Sequence, residues 1–371
     1  MQTVCPWGHP IGKTGVSNRI FRYSGLAPLQ SLSAAIAMAK PDLIVSGDDL
    51  ATRHLHRLYA ENEPGEEGAA VRRLIERSLG DPEYFPLVDD RASSIKISGE
   101  AGARVPLDST IANEEELQNW ITSSGFPTVL KASGSFGGTG VRVARNAEQA
   151  HRAFDELRAP PLLARAAKRA LLDGDATLVW PSLLRRGSVI NAQAFVAGRD
   201  ATSATFCWKG TILASLHFAV LQKSHSFGHA TVVRRIEHPG MVEATEKVAR
   251  RLGLSGFHGF DFMLAERTDD AYLIEINPRA TQVGHLAFGP GRDLTAAMVS
   301  ALTSTPAQLS PIVTENDTIA LFPQEWLREP SSPYLHSGYH DVPWGQPELV
   351  RACVRKPRAL GSRILSVMTS Q

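Results

Sequence analysis

Two spacings of apolar residues alternate along this chain, one near every second position and one near every third or fourth. They predict an alternation of strands and helices. Residues 34–40 and 71–79 carry the helical spacing, the second stopped by Gly80-Asp81-Pro82. Between them, Leu43-Ile44-Val45 is an unbroken apolar run that suits a parallel strand covered on both faces. The run leads to Asp48 and Asp49, at the end of a strand where open α/β sheets bind ligands. A solvated turn or a helix cap is the more ordinary use of two such residues. Helices follow at 114–124, broken by Gly125-Phe126-Pro127, and at 146–157, opened by Asn146. Strands are predicted at 177–180, 188–196 and 204–216, a helix at 239–252, and strands at 257–264 and 271–276. From about 305 the chain is Pro-rich and irregular, but Trp326, Tyr334 and Trp344 predict an ordered cap packed on the body.

Composition narrows the classes. The chain has 371 residues, enough for two or three domains, with 43% hydrophobic and 21% charged residues. A net charge of +1 gives no reason to expect a nucleic-acid or acidic-membrane partner. The three cysteines, Cys5, Cys207 and Cys353, are far apart, so neither a disulfide framework nor a cysteine zinc site is expected. His54 and His56 form an HxH pair without an acidic or cysteine partner at metal spacing, and a surface pair is expected. The most apolar helical stretch, 162–172, is interrupted by Arg165, Lys168 and Arg169, so no membrane span is predicted. The opening MQTVCPWGHP lacks the basic-then-apolar pattern of a signal peptide, and a cytoplasmic location is the expectation.

Candidate chemistry enters with VLKASGSFGGTGVRV, residues 129–143. A P-loop places its lysine after the glycines, whereas Lys131 precedes them. A dinucleotide fingerprint needs a helix after its glycines, whereas Val141-Arg142-Val143-Ala144-Arg145 alternates as a strand does. The glycines therefore sit in a loop between two strands, with Lys131 on the first. The backbone N–H groups of such a loop can cover phosphates while the lysine supplies charge. A flexible hairpin loop beside a surface lysine is the competing reading.

A second stretch, FHGFDFMLAERTDDAYLIEINPRATQVGH, has two strands flanking the polar run Glu266–Asp270. A turn centred on Thr268 sets Asp261 directly opposite Glu275. Directly opposed Cβ atoms lie only about 4.5–5.5 Å apart, so two like charges there call for a cation. Asn277, two residues past Glu275, shares its face. Two carboxylates and an amide oxygen form a hard-oxygen set suited to Mg²⁺, and Arg279 follows at the strand end. Ile274 and Ile276 point to the other face, which favours this reading over an exposed face with ordinary acids.

These two stretches resemble the ATP-grasp superfamily of carboxylate ligases. FPTVLKASGSFGGTGVRVA is similar to its strand–Gly-loop–strand segment and FDFM…AYLIEINPRATQVGH to its metal-binding hairpin. Gly102-Ala-Arg-Val-Pro106 fits the turn that opens the ATP-binding portion, with Arg91 upstream where the family often has lysine. The resemblance covers roughly 40–300 and implies an α/β and α+β architecture. A Rossmann-like pre-domain spans 1–107, two α+β lobes that clamp ATP span 108–180 and 181–304, and a C-terminal extension spans 305–371. The pre-domain looks incomplete, as if its first strand and helix were missing.

By position, the resemblance implies that Lys131 and Arg91 bind ATP phosphates and that Ser135, Gly137, Gly138 and Thr139 form the loop lid. Asp261, Glu275 and Asn277 would hold Mg²⁺ or Mn²⁺, and Arg279 would stabilise the acyl-phosphate. Asn191 is a weaker candidate facing the same cleft. The hinge stretch 178–187 lacks the family's usual acid; Val179 and Trp180 within it are the expected nucleotide contacts. The implied reaction activates a small-molecule carboxylate as an acyl-phosphate for attack by an amine, or less often a thiol. Two alternatives stand beside it: biotin carboxylase-like chemistry, and a nucleotide-binding sensor or assembly subunit without turnover. Gly284 before His285 stands where biotin carboxylases have an acid and argues against bicarbonate activation. The acceptor pocket is expected to draw on Asp48, the basic loop 223–229, the Arg234-Arg235 pair and the C-terminal segment. Family members often dimerise, so a homodimer is among the expected assemblies.

Overall fold

The computed structural model describes residues 1–62, 65–132, 140–159 and 188–354. Two short strands open the chain, β1 (Gln2–Cys5) and β2 (Arg19–Arg22), paired in parallel. Three helices follow: α1 (Pro28–Ala39), α2 (Asp49–Glu61) and α3 (Glu66–Leu79). Pro28 starts α1, where a missing N–H costs nothing, and Lys40 ends it in the left-handed region at φ 44°. These helices bury Leu32, Leu55, Leu58, Ile75 and Leu79 in one cluster with Phe85.

The expected strand at Leu43-Ile44-Val45 does not form. No strand among the described residues pairs with the segment, and the Ile44 N–H donates instead to Ser78 Oγ at 2.9 Å. Asp48 and Asp49 therefore stand at a helix start rather than a strand end. Asp48 is the N-cap of α2, its Oδ1 accepting from the Ala51 N–H at 2.8 Å. The short helix α4 (Phe85–Asp89) leads into α5 (Arg91–Glu100), which Asp90 caps.

Four strands then form a small sheet in the order β3-β6-β4-β5: β3 (Asp108–Ile111), β4 (Thr128–Ala132), β5 (Val141–Ala144) and β6 (Ile190–Ala194). Helices α6 (Glu114–Ser124) and α7 (Ala147–Arg158) cover one face. Alternation decides which residues lie there: Leu130, Ala132, Ile190 and Ala192 pack with Leu117, Trp120 and Phe154. Lys131, Asn191 and Gln193 are left on the opposite, polar face.

The larger sheet has seven strands in the order β11-β10-β7-β8-β9-β12-β13. They are β7 (Gly198–Trp208), β8 (Thr211–Lys223), β9 (Ala230–Arg235), β10 (Gly256–Ala265), β11 (Ala271–Asn277), β12 (Thr318–Ala320) and β13 (Tyr339–His340). The single strand expected at 204–216 is a hairpin. Lys209 and Gly210 both take positive φ, 50° and 79°, as a two-residue turn between twisted strands requires. One face of the sheet packs on α5 and the helix Pro239–Arg251, with Phe260, Phe262 and Leu273 fully buried. The other packs Phe206, Leu216 and Phe218 against the helix Leu294–Thr303. Phe218 makes no contact with water, so Phe218→Ala leaves a large void; we expect a loss of about 3–5 kcal/mol in urea unfolding.

The described part of the C-terminal segment joins the sheet through β12 and β13. Its tryptophans do not pack as expected. Trp326 and Trp344 are 45% and 76% exposed, and it is Leu321, Ile319 and Val342 that bury the segment against the body.

Candidate active site

The metal-type hairpin has the expected register at its functional end: Asp261 lies opposite Glu275 and Gly259 opposite Asn277. A bulge follows immediately, so that Phe262 faces Leu273 and the outer half of the hairpin runs one residue out of step. The Asp261 carboxylate accepts from Thr202 Oγ1 at 2.8 Å and from Asn277 Nδ2 at 2.9 Å. Burial, followed by the charge of Glu275, pushes the Asp261 pKa up to about 6 despite those two hydrogen bonds. A carboxylate held this far from its ordinary range beside a second one is a site that a divalent cation relieves. With Asn277 Oδ1 on the same face, the donor set fits Mg²⁺.

Cations already approach it. Arg91, the first residue of α5, pairs with Glu275. Arg279 reaches Asn277 Oδ1 through Nη2 at 3.3 Å and Asp49 Oδ1 through Nε at 3.0 Å. The backbone between Asn277 and Thr281 is braced by the N-terminal part. Thr52 Oγ1 donates to the Pro278 carbonyl at 2.8 Å and the Ala280 N–H donates to the Ser46 carbonyl at 2.9 Å. Thr52 and Ser46 are both buried and bonded to each other at 2.6 Å.

Lys131 projects from the polar face of the small sheet and is buried, its Nζ donating to Gln193 Oε1 at 2.7 Å. Burial, then the neighbouring Arg91, lowers its pKa to about 8, while Glu275, Asp108 and Asp261 pull the other way. Asn191 stands beside Lys131 in the ladder and its Oδ1 accepts from Thr110 at 3.0 Å, but it does not line the cleft. The loop residues Ser135, Gly137, Gly138 and Thr139, and Val179 and Trp180, lie outside the described residues.

A cleft of about 380 Å³ brings Arg91, Lys131, Asp261, Glu275, Asn277 and Arg279 together. Asp49 lines it, and Asp48 does not. The basic loop contributes Lys223, Phe227 and His229, with Lys223 tied to Asp200 at 2.7 Å. Arg234 and Arg235, expected at the acceptor pocket, are elsewhere. Arg235 pairs with Asp317 over the Phe288 ring and Arg234 reaches Thr318, because β9 carries them to the far end of the sheet. Among the described residues the C-terminal segment supplies no cleft wall; Gln324 instead donates to the wall residue Gln282 at 3.3 Å. Thr202 and Gln193 carry no motif, and only their positions on the same sheet faces as Asp261 and Lys131 mark them.

Two family models match the chain. One, the carbamoyl-phosphate synthase L chain ATP-binding domain, covers residues 90–174, and the other, the ATP-grasp domain, covers 180–283. Among solved structures, an ADP complex of N5-carboxyaminoimidazole ribonucleotide synthetase superposes with a TM-score of 0.57 at 14% identity, over 84% of this chain and 72% of that one. This chain has the ATP-grasp fold. Between them the two matches include every cleft residue named above from Arg91 to Arg279 apart from Asp49. The biotin carboxylase domain of Hydrogenobacter thermophilus 2-oxoglutarate carboxylase, a dimer with MgADP and bicarbonate, shares the ATP-grasp fold. Its TM-score is 0.57 at 18% identity, over 84% of this chain and 66% of that one. The L-amino acid ligase of Bacillus licheniformis does so with a TM-score of 0.55 at 13% identity, over 83% and 75%. Two curated relatives are carbamoyl phosphate synthase large chains. That of Kocuria rhizophila is 30% identical over 213 residues and that of Paenarthrobacter aurescens 24% over 206, each match covering 54% of this chain. The ATP-grasp chain spans only 16% and 17% of their lengths.

Proposed function

We propose that this ATP-grasp protein is an ATP-dependent ligase that activates a small carboxylate as an acyl-phosphate and transfers the acyl group to an amine. The observation that carries the reading is the opposed pair Asp261 and Glu275, with Asn277 beside it, facing Lys131 in one cleft. Attack of a carboxylate oxygen on the γ-phosphorus of ATP gathers several negative charges in one place, and the chain answers with three cations. Lys131 holds phosphate oxygens from the small sheet. Arg91, paired with Glu275, stands within reach of the phosphates, and Arg279 holds the acyl-phosphate. Asp261, Glu275 and Asn277 would hold Mg²⁺ or Mn²⁺, which would supply Lewis-acid neutralisation of the transferred phosphoryl group. By their place in the resemblance, Ser135, Gly137, Gly138 and Thr139 are the proposed phosphate-covering residues and Val179 and Trp180 the proposed nucleotide contacts.

The likeness to carbamoyl phosphate synthase chains favours bicarbonate as one carboxylate to test. Gly284, where biotin carboxylases have an acid, weighs against bicarbonate activation, so bicarbonate enters as a substrate to be tested rather than the expected one. No helix among the described residues is long and apolar enough to cross a membrane. Light scattering tests the homodimer that the family habit suggests.

The test is ADP and phosphate release with Mg²⁺ across amino acids, small carboxylates and bicarbonate, beside Glu275→Ala. We expect one substrate class to stimulate release and the variant to lose that stimulation. ATP binding without stimulated turnover by any of these supports a nucleotide sensor instead.

A further inference from the structure

Among the described residues four carboxylates line the cleft, and three have visible employment. Asp261 and Glu275 form the hairpin pair, and Asp200 is bonded to Lys223. The fourth, Asp49, enters from the N-terminal part. It is the first residue of α2, but capping that helix falls to Asp48. Its Oδ1 accepts from Arg279 Nε, and its Oδ2 has no partner among the described residues. The side chain is 21% exposed and lines the cleft. Because the same guanidinium reaches Asn277 through Nη2, a single arginine head separates Asp49 from the metal-type ligands.

Resting on the ligase reading above, we propose that Asp49 is a catalytic residue of the second half-reaction, binding the acceptor ammonium beside Arg279 and taking its proton. An amine at neutral pH is mostly ammonium and has no lone pair with which to attack. A carboxylate beside the acyl-phosphate draws the ammonium in and removes one proton. The free amine nitrogen then forms the C–N bond, and the C–O bond to phosphate breaks. The second proton leaves the nitrogen with the departing phosphate as HPO₄²⁻. One amide, one hydrogen phosphate and one proton on Asp49 balance the ammonium and the acyl-phosphate. Arg279 Nε holds Oδ1 at 3.0 Å, which leaves Oδ2 for the substrate.

Hydroxylamine separates the two halves of the reaction, because it is unprotonated at neutral pH and captures an acyl-phosphate without a base. The purified protein is given ATP, Mg²⁺, bicarbonate, the small carboxylates of the panel above and the twenty L-amino acids, which together supply carboxylate and amine. Amide is measured by mass spectrometry, and hydroxamate by its ferric complex when hydroxylamine is added. In Asp49→Asn we expect amide formation to fall about 10²–10⁴-fold and the ratio of amide to hydroxamate to fall at least about 10²-fold. Asp49→Glu should recover part of that ratio. Equal loss of both products, or undiminished amide, overturns the role of Asp49. Absence of both products in the unsubstituted protein overturns the ligase reading itself, and that result is read before any variant is made. If Asp49→Asn does not fold, Asp49→Ser carries the same ratio test.

Discussion

Asp261→Asn is expected to abolish metal-dependent turnover, by roughly 10³-fold or more in kcat, while making the metal-free protein more stable. Both effects have one cause. In the folded protein the Asp261 carboxyl titrates at about 6 against an ordinary 3.8, so the folded state holds its proton more tightly than the unfolded chain does. The stability this represents is fully present below pH 3.8 and lost as pH rises through about 6. Above that, the ionised pair Asp261 and Glu275 is a standing cost. An asparagine keeps the shape and can accept from Asn277 while donating to Thr202, and it carries no charge. Thermal unfolding without metal should therefore show Tm raised in the variant above pH 6, with the gain shrinking toward pH 4. A variant that lost both activity and stability would mean that Asp261 is a structural residue.

Lys131→Met should weaken ATP binding by about 10²-fold, seen as a raised Kd in calorimetry, with the fold retained. The pH dependence is the sharper readout. Lys131 titrates at about 8 in the free protein against an ordinary 10.5, so ammonium is depleted as pH rises through 8. ATP affinity should fall through that window in the unsubstituted protein and stay flat in Lys131→Met. Stability moves oppositely. The cost of burying the ammonium is fully present below pH 8 and is relieved as pH rises toward 10.5. A binding profile flat through pH 8 in the unsubstituted protein would remove Lys131 from the phosphate site.

The parts of this site that were legible in sequence are those whose geometry is local. Asp261 and Glu275 face each other because only residues 262–274, a polar turn among them, connect them, and so short a connection keeps the two strands paired. The bulge after Asp261 left no mark, since neither Phe262 nor Ile274 differs from its neighbours in kind. The partners of these residues come from elsewhere. Thr202 meets Asp261 from a strand 59 positions away, and Arg91 meets Glu275 across 184. No periodicity encodes such a pairing, because it depends on which strands and helices become neighbours. Gln193 lies in the expected strand 188–196 and Thr202 just before the one expected at 204–216; neither carries a motif, and only the faces of β6 and β7 single them out. The failed strand at Leu43–Val45 errs in the other direction. Apolar character was right, since Ile44 packs against the helical core, but a ladder needs a neighbouring strand, and none among the described residues pairs with this segment.

Anyone building chimeras from proteins of this fold inherits a constraint from Ser46 and Thr52. The stretch that aims Arg279 is anchored by a carbonyl and a hydroxyl that belong to a different part of the chain. A transplanted nucleotide clamp would therefore arrive with its arginine unaimed unless the recipient's own first hundred residues present the same two groups at the same height. Exchanging substrate preference by swapping that N-terminal part is thus also a way of detuning the chemistry, and the two outcomes would need separate assays to tell apart.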